Sequence, residues 1–212
     1  MLKIAIQMDP IEAVNVNADT SFDLALEAFS RGHEIWVYQP EMLQLDCGVV
    51  RARARQVEHL KREQGDHVKL AAPQVIDLHG LDVVLVRQDP PFNMAYITAA
   101  QILERLLPDV LVLNNPRSIR DAPEKLFVTD FKDLTPPTLI TRDAEAMHAF
   151  RKTHGDVIVK PLYGNGGAGV FKMSSDDSNF KALLELFSEA YAEPSIIQKY
   201  LPAVTKGDKR II

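Results

Sequence analysis

Only one cysteine, Cys47, occurs in 212 residues, which excludes an internal disulfide and fits a reducing compartment, so a cytoplasmic protein is expected. No apolar run reaches the roughly 20 residues that a membrane-spanning helix needs. The N-terminus Met1-Leu-Lys-Ile-Ala-Ile-Gln7 reads as a strand rather than a signal peptide. Positive charge is not in excess: 24 Lys and Arg stand against 29 Asp and Glu, a formal charge of −5, which argues against nucleic acid as main partner. The six histidines are scattered and show none of the close pairings of a metal site. Cys47 carries no local mark of an activated nucleophile and reads as structural. What remains is a globular composition, 46% hydrophobic and 25% charged, long enough for one large domain or two small ones.

The first 120 or so residues predict a doubly wound α/β domain. Leu2 to Met8 forms a buried-type strand, Thr20 to Arg31 a helix ended by Gly32, and Glu34 to Tyr38 a second strand, which together make a βαβ unit and a parallel sheet. Residues 41–77 suggest short strands with irregular connections. Within them Arg51, Arg53 and Arg55 alternate with alanine; the pattern fits a solvated strand face, with a basic ridge as the alternative. Val83 to Arg87, the helical run Tyr96 to Leu107 and the strand Val110 to Asn114 complete the domain. Asp121 then reads as the N-cap of a helix, with Glu124 three residues on, Lys125 in its first turn and Phe131 towards its end. Pro136-Pro137 breaks the chain. A strand Thr138 to Thr141 and a helix from about Asp143 to His154 follow. Beyond lie a helix Phe180 to Tyr191 and a strand Ser195 to Lys199. Asp208-Lys-Arg-Ile-Ile212 looks like the start of a further strand, so the second domain is expected to be incomplete.

The segment between these elements holds the most chemistry. In Val157-Ile-Val-Lys160-Pro161 a lysine sits inside an apolar strand, and Gly164-Asn165-Gly166-Gly167-Ala168-Gly169 follows at once. A fixed cation beside backbone N–H groups that can be approached closely suits a polyphosphate. The loop also spells G-x-G-x-x-G, but a dinucleotide fingerprint needs a helix directly after it. Val170-Phe171-Lys172-Met173 is instead an alternating, β-prone run, so strand, glycine loop and strand are expected to form a hairpin over phosphates. An ordinary glycine-rich turn is the bland alternative.

Other candidates are weaker alone. A buried ammonium is costly unless paired, so Lys160 suits a phosphate partner; otherwise its stem covers apolar surface while its head reaches water. Lys125 at a helix start opposes the helix dipole, but lysine and helix N-terminus could both serve an anion bound nearby; an exposed lysine is the alternative. Gln198-Lys199-Tyr200-Leu201 ends a strand just before Pro202, where backbone can read an adenine edge. Asp208 and Arg210 share a face of the expected strand, as cleft residues or as a surface ion pair.

Taken together, several segments resemble the prokaryotic glutathione synthetase family of the ATP-grasp superfamily. They are Met8-Asp-Pro-Ile11, Asp89-Pro-Pro-Phe92, Asn115-Pro-Arg-Ser-Ile-Arg-Asp121, Glu124-Lys-Leu-Phe127, Asp133-Leu-Thr-Pro136, Thr138-Leu-Ile-Thr-Arg142, the Lys160 strand with its loop, Tyr200-Leu-Pro202 and Gly207-Asp-Lys-Arg210. The resemblance implies a Rossmann-like pre-ATP-grasp domain over 1–121 and part of an ATP-grasp domain over 122–212. It implies ATP-dependent ligation of γ-glutamylcysteine to glycine through an acyl phosphate. By matching position, Lys125 and Lys160 would hold ATP phosphates, the loop with Gly164, Asn165, Gly166, Gly167 and Gly169 would cover them, and Gln198, Lys199, Tyr200 and Leu201 would receive adenine. Asp208 would meet the ribose, and Arg210, the catalytic candidate, would face the acyl phosphate. Mg²⁺ is implied as well, with ligands expected beyond residue 212, and no general base is evident. The expected partners are these small molecules, in a homo-oligomer without nucleic acid or membrane. The 212 residues alone are expected not to ligate; robust γ-glutamylcysteine- and glycine-dependent ADP release by them would overturn that. Alternatives are another ATP-grasp carboxylate–amine ligase, such as an amino-acid ligase, or a nucleotide-binding module without ligase activity.

Overall fold

A computed structural model describes residues 1–164 and 166–209. The chain divides into two compact units, Met1–Asp121 and the residues from Ala122 onward.

The first unit is α/β. Strands β1 (Lys3–Gln7) and β2 (Glu34–Tyr38) lie parallel, joined through helix α1 (Thr20–Ser30). Asp19 caps α1 by accepting from the Phe22 N–H at 2.7 Å. Strand β4 (Val49–Leu60) runs antiparallel to β2 and carries β3 (Leu43–Asp46), β5 (Val68–Leu70) and β6 (Gln74–Asp77). On the other side of β1 come β7 (Val83–Val86), helix α2 (Met94–Leu103) and β8 (Leu111–Leu113), again parallel. Alternation divides the sheet's side chains between two cores. Ile4, Ile6, Ile35 and Val37 pack with Phe22 and Ala25 of α1, whereas Ala5, Trp36, Val84 and Val112 pack with Leu103 of α2. Helices on both faces make this the doubly wound arrangement that the sequence predicts. Burying a side chain such as Phe22 contributes about 2–3 kcal/mol.

Residues 41–77 differ from expectation. Instead of short strands alone they contain β4, an unbroken strand of 12 residues. Alanine is a poor strand former, so local propensity understates this segment; pairing with four other strands supplies what propensity lacks. Ala52 and Ala54 are buried while the arginines turn to the other face. There Arg51 pairs with Asp46, Arg55 with Glu12 at 2.6 Å, and Arg53 lies on the Met42 thioether at 3.0 Å. Cys47 is not a core residue: it is exposed, in the tight turn between β3 and β4, at φ 50°.

The second unit is built on an antiparallel sheet in the order β11-β10-β12-β9. Its strands are β9 (Thr138–Thr141), β10 (Val157–Pro161), β11 (Phe171–Met173) and β12 (Ser195–Lys199). Helices α5 (Ala144–His154) and α6 (Phe180–Ala190) cover one face, where Val157, Val159, Met173 and Ile197 pack with Met147, Phe180, Leu183, Leu184 and Phe187. Asp143 caps α5 as its position suggests, accepting from Glu145 and Ala146.

The entry to this unit departs from the sequence reading. Asp121 is not an N-cap; it ends a short helix α3, Pro116–Asp121. A four-residue helix α4, Glu124–Phe127, follows, and a 3₁₀ turn Val128–Asp130 finishes it before Phe131. Pro123 explains the break. A residue before proline is steered away from helix, and the Pro123 carbonyl instead accepts from Leu126 and Phe127 at 3.0 and 2.8 Å. With four residues, α4 has little dipole for Lys125 to oppose.

Candidate nucleotide site

The glycine stretch is a hairpin loop. Strands β10 and β11 pair antiparallel with Val157 opposite Met173, Ile158 opposite Lys172 and Val159 opposite Phe171, and residues 162–170 join them. No helix follows Gly169 directly, so the dinucleotide fingerprint fails on topology. Gly166, Gly167 and Gly169 have φ of 62°, 78° and 71°. Gly169 is the most constrained: a Cβ there would lie 2.9 Å from Tyr191 Oη and 3.1 Å from Pro161 Cδ. A Cβ at Gly164 would lie 3.2 Å from Pro161 Cγ and 3.8 Å from the Lys125 ammonium. Asn165 lies outside the described residues.

Lys160 and Ile158 point to the sheet face opposite α5 and α6, by strand alternation. The lysine is half-buried there and donates to Gln198 Oε1 at 3.2 Å. Burial, then the neighbouring charge of Lys125, push its pKa below the ordinary 10.5. The two cations, Lys160 and Lys125, lie close enough for their charges to repel. Lys125 itself donates to the carbonyls of Pro161 at 3.0 Å and Gly164 at 2.6 Å, clamping the start of the loop.

The Gln198–Leu201 segment divides by direction. Gln198 shares the face of Lys160, whereas Lys199, opposite Val157, points its side chain the other way. The Lys199 and Tyr200 N–H groups already donate to the carbonyls of Pro137 and Asp156, each at 2.9 Å. The Tyr200 ring carries the Lys172 ammonium 4.0 Å above its centroid, a cation–π contact. Leu201 is exposed. Past it the chain winds into a 3₁₀ turn, Pro202–Lys206, and Asp208 follows as exposed irregular backbone rather than strand. Pro202, lacking an N–H, cannot extend a ladder. Arg210 lies outside the described residues, so the shared strand face expected for Asp208 and Arg210 has no support from Asp208.

Two participants escape sequence reading. Thr138 accepts from Gln198 Nε2 at 2.7 Å, and Tyr191 closes on Gly169. Both depend on long-range register or helix docking, for which neither local sequence carries a signal. Among the described residues no group of three or more His, Cys, Asp or Glu is placed to hold a metal ion. No helix among them is long and apolar enough to cross a membrane.

An antiparallel sheet whose lysine-bearing strand runs into a glycine hairpin, following a doubly wound unit in the chain, defines an ATP-grasp fold. Solved structures agree. An ATP-grasp RimK domain protein from Sphaerobacter thermophilus matches with TM-score 0.58 at 20% identity, covering 94% of this chain and 64% of that one. D-alanyl-alanine synthetase A from Vibrio cholerae matches with TM-score 0.58 at 11% identity, covering 94% and 60%. At these identities the likeness concerns the fold. The model of the prokaryotic glutathione synthetase N-terminal domain matches residues 2–120, and that of the family's ATP-grasp domain matches 124–212. Glutathione synthetases of Brucella melitensis and Mesorhizobium japonicum are 52% and 53% identical over the whole chain, which spans 67% of each. The chain belongs to the prokaryotic glutathione synthetase family, whose members are ATP-dependent ligases of glutathione biosynthesis.

Proposed function

We propose that the face of Lys160 and the 162–170 hairpin bind ATP for the joining of γ-glutamylcysteine to glycine. The observation that carries this is the half-buried, pKa-depressed ammonium of Lys160 on the helix-free face, beside a loop of glycines at positive φ. Phosphate oxygens supply an anionic partner beyond the neutral Gln198 oxygen, and the loop's N–H groups approach them without side chains in the way. Lys125 holds the loop start and adds positive charge. Gly164, Asn165, Gly166, Gly167 and Gly169 cover the phosphates, Gln198 to Leu201 receive adenine, Asp208 meets ribose and Arg210 faces the acyl phosphate.

The chemistry is two displacements. A cysteinyl carboxylate oxygen attacks the γ-phosphorus, the bond to the β-phosphate bridging oxygen breaks, and ADP leaves. The glycine amine then attacks the acyl carbon, loses a proton, and inorganic phosphate departs with the old carboxylate oxygen. Carboxylate is a poor acylating agent, so activation is needed, and positioning supplies much of the rate. One fold neighbour, the ATP-grasp ligase PsnB (TM-score 0.52, 21% identity), is described with Mg and ADP. Mg²⁺ use, a cytoplasmic setting, a homo-oligomer and the absence of nucleic-acid or membrane partners belong to the same proposal.

ADP release by the full-length protein with γ-glutamylcysteine plus glycine, compared with D-alanine and other amino acids, tests this reading. Release that needs both γ-glutamylcysteine and glycine supports it. Release with another amino-acid pair points to a different carboxylate–amine ligase, and ATP binding without release to a nucleotide-binding module.

A further inference from the structure

Thr138, Gln198 and Lys160 form a hydrogen-bonded row across β9, β12 and β10. Register places Gln198 directly opposite Thr138 on one side and Ile158 on the other, and Lys160 two residues beyond Ile158 reaches back to it. The Thr138 hydroxyl donates its single proton to the Pro136 carbonyl at 2.7 Å. It can then only accept from a neighbour. Gln198 must therefore turn its NH₂ end to Thr138, at 2.7 Å, and its oxygen to Lys160, at 3.2 Å. Reversing the amide would set its oxygen against the lone pairs of the Thr138 hydroxyl at one end and its NH₂ against an ammonium at the other. A carboxamide oxygen gives Lys160 an acceptor without neutralising the charge, as a carboxylate would.

We propose that Thr138 is a positioning residue of the nucleotide site: its hydroxyl fixes the Gln198 amide, and the Gln198 oxygen holds the Lys160 ammonium on the phosphate-binding face. This rests on the ATP reading above. Thr138 touches no nucleotide in this scheme and acts only through Gln198.

Isothermal titration of the full-length protein with ATP, together with KM and kcat for ATP, tests it in four forms. Thr138→Val keeps the shape and removes the hydroxyl; affinity is expected to fall about tenfold, the scale of one lost hydrogen bond to a charged group's partner, with KM rising and kcat changing little. Thr138→Ser restores the hydroxyl and is expected to lie within about twofold of wild type. Should the valine variant not fold, Thr138→Ala against Thr138→Ser, both without the methyl, isolates the hydroxyl. Hydroxyl-free variants that bind as wild type, or serine and alanine equally weakened, would overturn the positioning role alone. A wild-type protein that does not bind ATP would overturn the nucleotide reading beneath it.

Discussion

Replacing Lys160 by methionine is expected to weaken ATP binding by a factor of about 30 to 150 while leaving the folded protein at least as stable as before. The affinity loss corresponds to about 2–3 kcal/mol for a charge-assisted contact with phosphate. The stability result has the opposite origin. Burial and Lys125 depress the Lys160 pKa from 10.5, so the protonated lysine disfavours the folded state. That penalty is full below the folded-state pKa, where lysine is charged in both states. It fades as pH rises through that value and is gone above the unfolded pKa, where both are neutral. The methionine variant's advantage in thermal midpoint is therefore expected at neutral pH and should shrink in alkali. Thermal denaturation at several pH values, with and without ATP, reads both effects. A variant that loses stability at neutral pH, or that keeps wild-type ATP affinity, would make Lys160 a structural residue.

Gly169→Ala is expected to cost about 2–3 kcal/mol of stability, the larger part from backbone. Its φ of 71° is unfavourable for any L side chain, and the added Cβ would meet Tyr191 Oη at 2.9 Å. ATP affinity should fall with it, because the loop's N–H groups can no longer keep their directions. Tyr191→Phe removes the oxygen and separates the two causes. The double variant Gly169→Ala/Tyr191→Phe should recover the contact part and keep the backbone part. A Gly169→Ala protein with a denaturation midpoint and ATP affinity equal to wild type would show that this turn is not required.

The sequence makes the hairpin readable because three local signals agree: a lysine within Val157-Ile-Val, glycines directly after Pro161, and renewed alternation from Val170. The α5 start is readable to within one residue: the helix expected from about Asp143 begins at Ala144, with Asp143 as its cap. Where signals conflict, reading fails. Asp121 and Glu124 have capping-box spacing, but Pro123 stops one helix and starts another, and the steric rule outweighs the pattern. Ala52 and Ala54 hide a long strand because its stability lies in cross-strand pairing. The Thr138–Gln198–Lys160 row was beyond reach from sequence, since 60 residues separate Thr138 from Gln198 and only register joins them. Lys125 was legible as a cation at a helix start but not as the clamp on two loop carbonyls.

Hydrogen–deuterium exchange of the protein with and without ATP tests the central claim most directly. The account predicts that ATP slows exchange in peptides covering 157–170 and 195–201, and that Lys160→Met abolishes this slowing. Unchanged exchange in both segments, with protection by ATP confined to residues 1–121, would contradict it.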